Sequence, residues 1–172
     1  MSDANSATVE REVDGTATEY YEIPVAGDRI ERLMTELFTD HWPAITVGPL
    51  IQGAAFEIRF IVAPKVAMLD GYLTVDTGPW HFHLCVNDHR GAKSADLARI
   101  RRVARAAFFR TLGGSCSPMS WGLRLWNGRG EQMITVLFPN PHYDESLQRL
   151  KEPQWEKTAL WEDFRRRYAG GA

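Results

Sequence analysis

Three histidines and one of the chain's two cysteines fall within nine residues, His81-Phe82-His83-Leu84-Cys85-Val86-Asn87-Asp88-His89. Neutral imidazole and thiolate suit zinc, copper and iron far better than magnesium or calcium. If the stretch is a strand, alternate side chains share a face. His81, His83 and Cys85 then line one side, about 7 Å apart per two-residue step, and Phe82, Leu84 and Val86 line the other. His89 lies just past the strand, where a turn at Asn87-Asp88 folds it back. The pattern predicts a transition-metal site built from His81, His83, Cys85 and His89. With one position open it would be catalytic, redox or hydrolytic, and with four closed ligands structural. One zinc, iron or copper ion is the implied cofactor, with heme the second candidate and a small molecule the implied substrate or ligand. Cys116, Met119, His41 and His142 are more distant groups that could join the site. A metal-free variant would use Cys85 as a nucleophile beside a histidine. No Gly-rich elbow or helix N-terminus surrounds Cys85 to activate it.

A second kind of function competes with the metalloprotein. The stretch Ser120-Trp121-Gly122-Leu123-Arg124-Leu125-Trp126-Asn127-Gly128-Arg129 interleaves tryptophan with arginine. Both are enriched at recognition surfaces. Exposed, they would make a metal-free interaction domain or a homodimer.

Composition limits both readings. The chain has 172 residues, 44% hydrophobic and 24% charged, with a formal net charge of −2. That size suits one domain able to bury a core without disulfides. The charge draws the chain neither to nucleic acid nor to anionic lipid. No apolar run approaches the ~20 residues of a membrane span, and the N-terminus lacks the apolar core of a signal peptide. The expected location is the cytoplasm, with no nucleic-acid and no membrane partner.

The elements that must position the His/Cys strand follow from periodicity. Residues 1–16 read as a disordered tail with too little apolar surface to order, leaving 17–172 as one domain. Tyr20–Val25 reads as a strand. Asp28 with Glu31 opens a helix whose apolar stripe is Ile30, Leu33, Met34, Leu37 and Phe38. Phe56 to Val62 alternates as a half-buried strand. Asp70-Gly71 joins strands at 66–69 and 72–75, and 80–86 carries the motif. Ser94 caps a second helix, expected to run to about Leu112. A hairpin follows, 119–126 and 131–138 around Asn127-Gly128-Arg129-Gly130. A short helix from Asp144 and an amphipathic helix with Leu160, Trp161, Phe164 and Tyr168 end the chain. Strands outnumber crossover helices, so the fold class is α+β: a mostly antiparallel sheet with helices on one face.

Overall fold

Five apolar residues at helical spacing, Ile30, Leu33, Met34, Leu37 and Phe38, are all buried along one side of α1 (Arg29–Asp40). They belong to a computed structural model of the chain that describes residues 7–11, 13, 15–51, 53–113 and 120–169. Asp28 is the N-cap, as expected, but its side chain makes no capping bond. Glu31 does not close a capping box either, because its carboxylate accepts a hydrogen bond from the Asn87 side chain, beyond the motif strand.

The remaining elements, in chain order, begin with β1 (Thr8–Arg11), β2 (Ala17–Glu22), β3 (Thr46–Gly48), β4 (Leu50–Ile51), β5 (Ala54–Ala55) and β6 (Ile58–Arg59). β7 (Lys65–Leu69), β8 (Tyr72–Asp76), β9 (His81–Cys85) and α2 (Ala95–Arg101) follow. β10 (Val103–Leu112), β11 (Trp121–Asn127), β12 (Gln132–Leu137) and α3 (Ala159–Tyr168) complete the series, with 3-10 turns at Trp42–Ala44 and Trp155–Thr158. Seven strands form an antiparallel sheet in the order β1-β2-β10-β11-β12-β3-β6, and β7-β8-β9 form a separate three-stranded meander. One core gathers the apolar sides of α1, α3, the meander and one face of the large sheet. This is the expected α+β domain. Trp161 of α3 ties helix to sheet by donating its indole N–H to the Gly122 carbonyl at 3.0 Å.

Four elements differ from the sequence reading. The second helix stops at Arg101, and Val103–Leu112 is a central strand paired with β2 and β11. Ala106, Ala107, Phe108 and Phe109 are buried in succession, so this strand is covered on both faces and shows no polar alternation to betray it. Part of the expected tail is strand: Thr8–Arg11 pairs with Ala17–Tyr20, and ladder bonds to β2 order a segment poor in apolar residues. The strand expected from Phe56 to Val62 is reduced to Ile58–Arg59, with Phe56, Ile61 and Val62 exposed. The short helix expected after Asp144 is instead a turn, in which the Asp144 carboxylate accepts the Ser146 and Gln148 N–H groups.

Candidate functional site

β9 is the edge of the meander, and its cross-strand partners on β8 are Asp76 for His81, Thr74 for His83 and Tyr72 for Cys85. The faces divide as alternation requires. Leu84 is buried, and Phe82 meets Phe38 of α1 edge-on at 5.6 Å. His81 and His83 are exposed on the opposite side, with ring centroids 5.1 Å apart. His83 Nδ1 lies 2.8 Å from the Thr74 hydroxyl. That one bond orients the ring and leaves Nε2 outward of it.

Cys85 shares the face of the histidines yet is only 2% exposed. Its thiol donates to the Asn87 carbonyl at 3.4 Å. Burial pushes the thiol up from its ordinary range, against the opposing pull of the Tyr72 hydroxyl, Arg101 and Arg102. A thiol in that setting is neither a ready nucleophile nor a ready metal ligand.

His89 is committed on both nitrogens. Arg101 Nη1 lies 3.2 Å from Nδ1, and since guanidinium only donates, Nδ1 accepts. Nε2–H then faces Asp70 Oδ2 at 3.3 Å, and the ring stands edge-on to Tyr72 at 5.1 Å. Asp70 also receives the N–H groups of Arg90 and Gly91. Asp70 (φ 47°) and Gly71 (φ 83°) are both left-handed, as the two-residue hairpin signal implied. A groove of about 520 Å³ beside this turn is lined by Asp28, Asp70, Asp88, Asn87, Arg90 and Met68. Its three carboxylates make it a poor place for an anionic ligand.

Two of the more distant candidates pack against aromatic rings, and the buried His142 Nε2 has no hydrogen-bond partner among the described residues. His41 ends α1 and stands edge-on to Phe164, and His142 lies between Trp121 and Trp155. Cys116 and Met119 lie outside the described residues. Most of the tryptophan–arginine surface packs on itself, while Arg129 in the hairpin turn is exposed. Trp121 is 3% exposed, and Arg105, which sequence reasoning missed, lies 4.3 Å over the Trp126 ring. Arg124 donates to the Tyr20 hydroxyl at 2.7 Å and covers the Phe109 ring. Only the β2–β10–β11 register brings Tyr20, Phe109 and Arg124 together, and local spacing carries no sign of it.

The metal-dependent enzyme expected from the motif is therefore corrected. Among the described residues no group of three or more His, Cys, Asp or Glu is arranged to hold a zinc, iron or copper ion. Of the four expected ligands, Cys85 is buried as a thiol and His89 is tied on both nitrogens, so only His81 and His83 face outward. Among the described residues no helix is long and apolar enough to cross a membrane.

Comparison with known proteins bears on the same point. No curated protein matches the sequence. A solved structure of the heme-binding protein ChuX superposes with a TM-score of 0.54 at 12% identity, over 85% of this chain and 75% of that one. A protein from Erwinia carotovora gives 0.54 at 14% identity, over 84% and 76%. A second ChuX structure gives 0.50 at 13% identity, over 92% and 77%. Identities this low carry the fold alone; the first of these neighbours is described as a heme-binding protein. Residues 7–170 match the model of DUF7676, a family of unknown function, and the chain belongs to that family.

Proposed function

We propose that the protein binds a heme-type iron tetrapyrrole on the open face of the meander, with His83 as the iron ligand and His81 beside it. The observation that carries this reading is the His83–Thr74 bond at 2.8 Å on an exposed strand face. A histidine ligand is commonly fixed through its second nitrogen, which sets the tautomer and the ring plane. With Thr74 accepting from Nδ1–H, the Nε2 lone pair is left for iron. The rest of the face mixes small, apolar and charged side chains, with Asp76 opposite both His81 and Lys65. Ala67 and exposed Leu69 of β7 flank Thr74 and Tyr72, and Lys65 at the far end offers a cation for a carboxylate. Three strands spaced ~4.8 Å apart give a platform roughly 10 Å across. Fold likeness to a heme-binding protein supports the ligand class. Bound iron would supply a coordination position for imidazole, and this chain's residues bind and orient it. A buried free thiol at Cys85 fits a reducing cytoplasm.

Titration with hemin, followed by its Soret absorption, tests the proposal. Wild-type protein is expected to give a saturable shift with one site per chain. His83→Ala should abolish the ligand-field signature, and Thr74→Val should weaken it. A hemin titration with no saturable shift, or one unchanged by His83→Ala and by His81→Ala, overturns the reading.

A further inference from the structure

β3 with β4, and β5 with β6, form one long hairpin. The pairs Thr46↔Arg59 and Val47↔Ile58 continue in the same register through Leu50↔Ala55 and Ile51↔Ala54. β6 is the last strand of the large sheet, so its outer edge has no neighbour among the described strands. The Phe56 N–H donates inward to the Pro49 carbonyl at 3.2 Å. Inward and outward groups alternate along an antiparallel pair. Ile58 therefore turns its backbone groups toward Val47 of β3, Phe56 turns its N–H toward Pro49, and Glu57 and Arg59 aim theirs outward.

Exposed strand edges are normally blunted by charge, proline or cover. This edge is short and carries Glu57 and Arg59, and it is also flanked by exposed apolar side chains: Phe56 58%, Ile58 39%, Ile61 91% and Val62 49%. Large contiguous apolar patches mark association sites. We infer that the occupant is a second copy of the chain, paired antiparallel about a two-fold axis at Ile58.

Sequence and hydrogen-bond phase agree on this register. With Ile58 opposite Ile58 of the second copy, Glu57 falls opposite Arg59 and Arg59 opposite Glu57. Those are the two residues whose N–H and C=O groups face out, so each pair exchanges two backbone hydrogen bonds. Their side chains share one face, and each pair joins opposite charges. Arg59 Nη1 also donates to the Glu145 carbonyl at 3.3 Å, which keeps the guanidinium at the edge. Glu57 makes no ion pair among the described residues. On the other face the Ile58 side chains meet, with Phe56 beside them. A shift of one residue would bring like charges or unmatched backbone groups together, so the edge specifies its own register.

Sedimentation velocity of the full chain over a concentration series reads the outcome. Wild type should show a concentration-dependent dimer. Glu57→Arg alone, or Arg59→Glu alone, places like charges opposite in both symmetric pairs and should weaken the dimer by roughly tenfold or more. The double reversal Glu57→Arg with Arg59→Glu restores complementarity and should restore the dimer. An equimolar mixture of the two single variants should form a heterodimer, a rescue that misfolding of either would not give. A wild type that stays monomeric throughout, a dimer indifferent to the single reversals, or reversals rescued by neither combination overturns the inference. Hemin binding is measured separately, so failure there leaves this result standing.

Discussion

Leu84 and Cys85 are neighbours with opposite duties toward the two faces of β9, and both are buried. Leu84→Ala should remove a core side chain and cost ~2–5 kcal/mol in denaturant melts. Cys85→Ser replaces a buried weak donor with a stronger one in the same place. It should cost about 1 kcal/mol, with the same loss in the presence and absence of chelator. A chelator-dependent loss would reinstate Cys85 as a metal ligand. Gly122 carries a different constraint. A Cβ there would come within 2.4 Å of the Phe109 ring and 2.9 Å of the Val136 carbonyl. Gly122→Ala should destabilise by ~1–3 kcal/mol through overpacking, and a thermal melt no lower than wild type would count against that packing. At this scale the sequence was informative about direction. Alternation placed Phe82 and Leu84 inward and His81 and His83 outward. It could not show that Cys85, on the outward side, is sealed by Tyr72 and Asn87, or that His89 is already claimed by Asp70 and Arg101. Both depend on residues brought in by turns.

Between elements, the tie from α1 to α3 is polar as well as apolar. Arg167 donates to Glu36 through two nitrogens, at 2.7 and 3.0 Å, and the Tyr168 hydroxyl donates to the same carboxylate at 2.6 Å. The Arg167 hydrogen bond is the main cause holding Glu36 below its ordinary 4.5, against a desolvation effect that would raise it. A lowered native pKa means stability that is present above 4.5 and lost as pH falls through the native value. Glu36→Gln should therefore cost roughly 1 kcal/mol at pH 7, a modest figure because the pair is partly exposed. That difference from wild type should shrink as the melts are moved below pH 4.5. A pH-independent difference would mean that Glu36 acts through packing. Burial and the Glu36 carboxylate push Tyr168 up to about 12. Its contribution is complete below 10 and is lost progressively as pH rises from 10 to about 12.

The elements were legible in proportion to how one-sided their environments are. α1, α3 and the Asp70-Gly71 hairpin each keep one wet face, and their periodicity was plain. β10 has none. Leu97, Ile100, Val103, Ala104, Ala107 and Phe108 fit a helical stripe across a boundary at Arg102, so α2 seemed to continue. The pairs with β2 and β11 decide the matter, and both partners are remote in sequence. At Gly48 the reason is local and still hidden: a Cβ would fall 1.6 Å from the Phe56 carbonyl oxygen. The hairpin bends too closely there for any side chain, and the strand expected through Phe56 is cut short.

For the whole molecule, the α+β class followed from counting elements. The strand order, with the N-terminal hairpin beside β10 rather than β3, was not accessible to local reasoning. That order has a consequence for how the protein is made. Ala17–Glu22 leaves the ribosome about ninety residues before Ala107–Leu112, its partner. At a synthesis rate of ~5–20 residues per second, the first hairpin waits roughly 5–20 s with an unsatisfied edge. Tyr20, buried at 2% in the finished protein, is bare throughout. The meander and α1 emerge during that interval with short-range contacts of their own and can assemble first. The large sheet closes by pairing β2 of its first hairpin with β10, the kind of long-range closure that slows folding. Slower translation lengthens that exposure, so yield of soluble protein should depend on elongation speed between residues 23 and 107 more than on speed anywhere else.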